Sequence, residues 1–293
     1  MNKGLSFHFG FIYKDIEEQV KAIKEAGFNS VMTNPDPSMN KDNGSIRKQV
    51  KLFKRYGLKL SSLHSRYRRV ELPHFFMDDK IGKKLERNLI KDVKVAHKNG
   101  FKCVVVHLKG ETNQIGFDRL KRVLRVCEKL NVPLALENLS NNAKTLEETY
   151  KAIESDCLKF CWDVGHNNAF TPDIDFATIY KDKLITLHLH DNLGDNVSDE
   201  TYQNIGYDRK YPKGEGRTYN PDMHTLNKYG NINWEEVAKK LSKINNELSL
   251  DYEVLMCYRK NETQEDVLKE VFEQAKQLET LVDKYKRKTK TNI

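Results

Sequence analysis

The sequence has no run of about 18 apolar residues, the length a helix needs to cross a bilayer, so no membrane partner is expected. Its first residues, MNKGLSFHFGF, carry one lysine and no apolar stretch of signal-peptide length. Cysteine is scarce. Cys103, Cys127, Cys157, Cys161 and Cys257 are odd in number and lack CxxC spacing, which gives no disulfide framework and fits reduced, buried thiols in a cytoplasmic protein. An acidic excess is also missing: the formal net charge is +8. That balance favours an anionic ligand, either a phosphorylated metabolite or nucleic acid. Part of the excess sits in the tail Lys284–Lys290, which reads as a solvated helix end.

What is present is a regular alternation of strand and helix patterns across 293 residues. Strand-like runs occupy Leu5–Phe9, Asn29–Met32, Lys59–His64, Cys103–His107, Leu134–Glu137, Leu158–Asp163, Leu184–His190 and Leu248–Leu255. Helical stripes intervene, such as Ile16/Val20/Ile23, Ile81/Leu85/Leu89/Val93 and Leu120/Val123/Leu124/Cys127, and Phe176–Tyr180 reads as a short helix. Eight strands each followed by a helix predict an α/β fold, a (β/α)8 TIM barrel forming one domain over residues 1–293. One connection breaks the rhythm. Residues 192–232, rich in Asn, Asp, Gly, Tyr and Lys, show no periodicity and read as a lid or specificity loop after the seventh strand.

In such barrels the C-terminal strand ends carry the chemistry. On strands three to eight those ends offer His64, His107, Glu137, Asp163, His188 and Glu253, all competent to bind a metal. The stretch Phe160-Cys161-Trp162-Asp163-Val164-Gly165-His166 is the most pointed: an apolar run stops at a carboxylate, and a glycine turn delivers an imidazole three positions later. Asp163 has a second reading as a helix cap. His188 and His190 share parity on one strand, as do Asp251 and Glu253 on another, so the residues leave both choices open. Asp222 and His224, at the end of the long loop, complete the candidates.

These residues resemble the xylose-isomerase-like, metal-dependent barrels, which include sugar-phosphate isomerases and epimerases and the endonuclease-four type of abasic-site nuclease. The resemblance covers nearly the whole chain. It rests on Leu136-Glu137-Asn138, Cys161-Trp162-Asp163-Val164-Gly165-His166, His188-Leu189-His190-Asp191-Asn192, and Asp222-Met223-His224 followed by Gly230-Asn231-Ile232-Asn233-Trp234. It selects His188 over His190 and Glu253 over Asp251. Two departures stand out. About thirty residues separate the strand-seven motif from the Asp-x-His pair, where the family uses a short loop, and Lys228 stands where a glycine is common. A second stretch, Asp208 to Gly216, mimics the Asp-x-His segment but has Lys210 at the histidine position.

The resemblance implies a sugar or sugar-phosphate isomerase or epimerase with a carbohydrate substrate. One divalent ion (zinc, manganese or cobalt) would be held by Glu137, Asp163, His188 and Glu253, with Glu137 and Glu253 moving the proton. His64, His107, His166, Asp222 and His224 would be further metal or substrate ligands. Arg66, Arg68, Lys109 and Arg217 are candidates for a phosphate clamp. The alternative is an abasic-site phosphodiesterase acting on DNA. All nine positions resembling that nuclease's ligands are filled, with up to three ions. The run Arg66-Tyr67-Arg68-Arg69 would then meet the nucleic-acid backbone.

Overall fold

The computed structural model describes residues 1–7, 15–35, 44–195, 197–207, 218–255 and 263–291. The strands are β1 (Asn2–Ser6), β2 (Ser30–Thr33), β3 (Lys59–His64), β4 (Cys103–Val106), β5 (Leu134–Glu137), β6 (Leu158–Asp163), β7 (Leu184–His188) and β8 (Ser249–Tyr252). They form one parallel sheet in the order β7-β6-β5-β4-β3-β2-β1-β8. The two edges then meet. Leu189, one residue past β7, donates its N–H to Asp251 O and accepts from Glu253 N–H, each at 2.9 Å, so the sheet curls into a nearly closed barrel.

The helices between them are α1 (Ile16–Glu25), α2 (Ile46–Arg55), α3 (Lys80–Asn99), α4 (Gln114–Leu130), α5 (Ala143–Ala152), α6 (Val164–Phe170), α7 (Phe176–Ile179), α8 (Asp199–Asn204), α9 (Trp234–Ser242) and α10 (Gln264–Thr291). Several start where a short polar side chain accepts an otherwise unpaired backbone N–H: Asp15 for α1, Ser45 for α2, Asp79 for α3 and Asn113 for α4. Among the described residues no helix is long and apolar enough to cross a membrane. Cys103, Cys127, Cys157 and Cys161 are buried and unbridged; Cys257 lies outside the described residues.

Strand periodicity divides the core into two. Val104, Val106, Leu134 and Leu136 pack outward against the helices, whereas Val105, Ala135 and Cys161 face inward as a separate cluster. Stepping two residues along the inner face leads from Ala135 to Glu137, from Cys161 to Asp163, from Thr186 to His188 and from Asp251 to Glu253. The barrel mouth is therefore charged. Asp251 and Glu253 both point inward, one layer apart. Asp251 lies deeper, accepts from Ser249 Oγ at 2.9 Å, and its carboxyl is pushed up to about 6 by burial. Glu253, just past β8, belongs to the mouth.

Several boundaries differ from the sequence reading. β7 and β8 are shorter than the expected Leu184–His190 and Leu248–Leu255. β1 starts earlier than Leu5, and residues 8–9 lie outside the described part. Helix α6 was not expected at all: at seven residues it is too short for an amphipathic stripe. The connection over 192–232 also has some regular structure. Ser198 caps α8, and Tyr202, Tyr207, Tyr219 and Met223 form a small apolar cluster of their own.

Gly4 shows how closely the barrel interior is filled. A Cβ there would lie 1.8 Å from Asp251 Oδ1 and 2.7 Å from Ser30 Oγ. Gly4→Ala should therefore cost about 1–3 kcal/mol through overpacking, read as a lower urea midpoint at unchanged slope.

Candidate metal centre

At the mouth, side chains from six strand ends converge with one from the first turn of α6 and two from the long connection. Glu137, 1% exposed, sits at the middle of them. Its Oε2 lies 3.0 Å from His107 Nε2 and 3.4 Å from His64 Nε2. Its Oε1 lies 3.1 Å from His188 Nδ1 and 3.3 Å from His166 Nδ1. Asp163 Oδ2 is 3.3 Å from His166 Nδ1 and 4.0 Å from His188 Nδ1, which in turn is 3.5 Å from Glu253 Oε1. Further out, Asp222 Oδ1 is 3.1 Å from His224 Nε2, and Asp222 Oδ2 is 3.5 Å from His166 Nε2. Overlapping groups result among the described residues: His64/His107/Glu137; Glu137/Cys161/His188; Glu137/Asp163/His166; Asp163/His188/Glu253; and His166/His190/Asp222/His224.

The electrostatics follow from this crowding. Burial alone would raise the Glu137 carboxyl, but His188 and His107 outweigh it and hold the group well below the usual carboxylate range. Burial likewise opposes ionisation of Asp222, yet His224 and His166 keep it well below its ordinary value. His166 moves the other way: burial disfavours its cation, and Asp163 and Asp222 overcome that. His107, by contrast, is pushed down to about 4 by burial. Clustered carboxylates and imidazoles of this kind exchange protons for a divalent cation.

Local structure supports the same reading. His64 Nδ1 lies 2.9 Å from Ser65 O, His166 Nδ1 2.9 Å from Asn138 O, and His224 Nδ1 2.8 Å from Glu253 O. A ring that donates Nδ1–H to a carbonyl presents its Nε2 lone pair to a metal, and all three Nε2 atoms face the cluster. Asp163 Oδ2 and Glu253 Oε1 are buried and accept no hydrogen bond. The donor set of carboxylates and imidazoles suits zinc, manganese or cobalt, so the residues fit a divalent ion.

One buried amide and two carboxylates hold this geometry. Asn138 donates to Asp163 O and accepts from Asp163 N–H, both at 2.8 Å, and so latches β5 to β6. Asp163 is also a helix cap: Oδ1 accepts His166 N–H at 2.6 Å, and α6 starts there. Thus capping and a place in the cluster coexist in one residue. Asp191, just beyond β7, accepts from Trp234 Nε1 at 2.6 Å, Ile232 N–H at 3.1 Å and Asn192 N–H at 2.8 Å. Its backbone also pairs both ways with Thr225, which fixes the segment carrying Asp222 and His224 against the barrel. His224 itself has φ 48°, the left-handed region, a strain that functional segments tolerate.

The cluster forms the floor of a cavity of about 210 Å³ whose walls include Tyr67, Arg69, Lys109, Ser140 and Phe170. Of the expected phosphate clamp, Lys109 lines this cavity. Arg66 does not: it chelates the fully buried Asp92 on α3, with Nε and an outer nitrogen 2.9 and 2.5 Å from Oδ1. A carboxylate that deep needs a guanidinium, and Arg66 supplies it. Arg68 is exposed and off the lining, while its neighbour Arg69, read before only as part of a basic run, is on it. Arg217 and the Asp208–Gly216 stretch with Lys210 lie outside the described residues, whereas all nine cluster positions lie within them.

The family model described as "Xylose isomerase-like TIM barrel" matches residues 20–273. No curated protein sequence matches the chain. Among solved structures, a D-tagatose 3-epimerase-like protein aligns with a TM-score of 0.69 and 20% identity, over 97% of this chain and 99% of that one. An L-ribulose 3-epimerase aligns with a TM-score of 0.71 and 14% identity, over 99% and 98%. The IolI protein with a bound zinc atom aligns with a TM-score of 0.66 and 16% identity, over 97% and 99%. At such identities the likeness carries the fold.

Asp191→Ala would leave three donors without their acceptor. The expected cost is at least about 2 kcal/mol, at about 1–3 kcal/mol for a buried unpaired group, measured by urea unfolding. Bound-metal content should fall with it, because the Asp222–His224 segment loses its anchor.

Proposed function

The chain belongs to the xylose isomerase-like TIM-barrel family, and from that premise we propose that it is a metal-dependent isomerase or epimerase of a sugar or sugar phosphate. The observation that carries this reading is the convergence of Glu137 and Glu253 on His188, 3.1 and 3.5 Å from its Nδ1, with both glutamates lining a cavity of about 210 Å³. Glu137, Asp163, His188 and Glu253 would hold one divalent ion. Bound there, the ion would draw electron density from the substrate's carbonyl and neighbouring hydroxyl oxygens, lowering the barrier to proton loss at the carbon next to the carbonyl.

The chain's own residues do the rest. One of the two glutamates removes the proton and the other, or the same one, returns it. Return to the opposite face of the same carbon gives epimerisation; return to the adjacent carbon gives aldose–ketose isomerisation. His107 and His166 sit where substrate oxygens would lie, with His107 held neutral at ordinary pH by burial. Arg69 and Lys109 on the wall give an anionic substituent two cations to meet, and Tyr67 and Phe170 offer apolar faces. The connection over 192–232 would border the bound substrate through Asp222 and His224.

A second reading is favoured by one specific observation: the ligand groups adjoin and share residues, as a site for more than one ion would. Several cations there would suit an abasic-site phosphodiesterase, stabilising attacking and leaving oxygens together.

The two readings separate in one experiment. Purified protein loaded with zinc, manganese or cobalt is incubated in deuterated water with a panel of ketoses and ketose phosphates, and separately with a duplex bearing one abasic site. The proposal expects deuterium at the carbon beside the carbonyl and no catalytic strand cleavage. Multiple-turnover cleavage without deuterium uptake would replace it by the second reading. Glu137→Gln and Glu253→Gln should each lower turnover at least about 100-fold, since proton transfer by a positioned side chain contributes that much or more. Wild-type turnover in the double variant would remove the mechanism.

A further inference from the structure

The positive charge of the chain is unevenly placed. Residues 46–99 carry sixteen Lys and Arg against five Asp and Glu, a net of +11, so the rest of the chain is net −3 against the total of +8. The structure puts much of that charge on one outer face. Every exposed residue of α2 is Lys or Arg, and every exposed residue of α3 is Lys, Arg or His97. On α3, Lys80, Lys84, Arg87, Lys91, Lys94 and Lys98 recur at steps of three or four. They form one straight stripe, about 27 Å long at about 1.5 Å per residue. Arg47, Lys51 and Lys54 repeat the spacing on α2. Both helices pack on the outside of β3, which sets the two rows on neighbouring parts of the flank. Helix α3 leaves the mouth after β3 and ends where β4 begins, so its stripe descends the barrel wall, and none of these residues lines the cavity.

Like charges three or four residues apart destabilise a helix. Elsewhere the chain offsets them with acid–base pairs inside a helix: Lys21–Glu25 on α1, Lys144–Glu148 on α5, Glu236–Lys239 on α9 and Glu273–Lys276 on α10. Among the described residues α2 and α3 have no such pair. Helix α2 contains no acid, and the two acids of α3 are drawn elsewhere, Asp92 to Arg66 and Glu86 to Arg122 on α4. We propose that the α2–α3 face docks the phosphate backbone of a duplex nucleic acid without reading its sequence. The stripe on α3 spans about eight phosphates of one strand at about 3.4 Å each. The exposed residues of both helices include no aromatic ring on which the bases of a single strand could stack. The exposed large hydrophobic residues, Val70, Met77, Ile115 and Ile179, all lie off these helices, so the face has no apolar side to bury in a lipid surface. This inference stands apart from the isomerase reading, since it needs neither the ion nor the cavity.

The test measures binding of the full chain to an intact duplex, without an abasic site, from about 50 to 200 mM salt. Six phosphate contacts from the stripe should give a slope of about −5 in log K against log salt. Arg87→Gln, Lys91→Gln and Lys94→Gln combined should shrink that slope by about three and weaken binding at about 100 mM salt at least about tenfold. Lys284→Gln, Lys286→Gln and Lys288→Gln combined remove the same charge from the tail and should keep the wild-type slope. The urea midpoint of the α3 variant should not fall, because the change relieves like-charge pairs. In the wild-type protein, bound duplex should shield Lys91, Lys94 and Lys98 from an acylating reagent and leave Lys109, on the cavity wall, as reactive as in the free protein. Equal losses in the two triple variants would overturn the proposal in favour of diffuse net charge. Shielding of Lys109 in place of the α3 lysines would overturn it in favour of the mouth. Binding to vesicles containing phosphatidylserine but not to the duplex would overturn it in favour of a lipid surface, and no binding to the duplex at about 50 mM salt would end it. None of these outcomes bears on deuterium uptake by a ketose, so the two readings can fail separately.

Discussion

The structure depends on an ionised carboxylate that has no water. Glu137 is 1% exposed, and taking such a group out of water costs several kcal/mol unless charge and hydrogen bonds replace the lost hydration. Four imidazoles do so, from His64, His107, His166 and His188, each within 3.4 Å of one of its oxygens. None of the four comes from β5. They arrive on β3, β7, the residue after β4 and the first turn of α6. The charge at the mouth can be satisfied only if the barrel brings distant strands together, so closure and site are one requirement. A divalent ion in place of the shared protons would meet the same requirement more strongly, since it adds charge where the carboxylates converge.

Orientation is a separate matter from proximity, and the backbone provides it. Ser65, Asn138 and Glu253 each offer a carbonyl to the Nδ1 of a site histidine. Two of those carbonyls belong to residues one step from, or identical with, a proposed ligand, so rings and carboxylates are set by the same strand ends. His224 is held this way despite its left-handed backbone, with its own carbonyl accepting Leu255 N–H at 2.9 Å. The Asp191 carboxylate does for the long connection what Asn138 does for β5 and β6. It converts a flexible approach into a fixed one through three donors.

Much of this was legible in the sequence because period two is a strong signal. The strand ends His64, Glu137, Asp163 and His188 could be read off apolar runs that stop at a charged residue. Asp251 and Glu253 could not be told apart by parity, since both face inward and differ only in depth. Helix α6 escaped because seven residues carry too little periodicity, although Asp163 was recognised as a possible cap. Arg66 misled for a different reason. Its partner Asp92 lies 26 positions away on α3, and no local pattern announces that a buried carboxylate will claim one arginine of a basic run. His190 was seen only as the losing choice against His188. That Gly165 clears space for its ring is a three-dimensional fact.

The two inward layers of the barrel differ in how they treat a buried carboxylate. Asp251 is as buried as Glu137, but its neighbours are hydroxyls, Ser249 at 2.9 Å and Thr186 at 3.4 Å. With few cations near, burial wins and its carboxyl is pushed up to about 6. One layer higher the same burial loses to imidazoles, and Glu137 stays well below the carboxylate range. The deeper carboxyl therefore takes up a proton more readily than the upper one, which the imidazoles hold ionised. Depth along the strands, two residues per step, sorts otherwise similar side chains into structure and chemistry. A family fold at 14–20% identity could serve many substrates, and what narrows the choice is this upper layer and the cations on its wall.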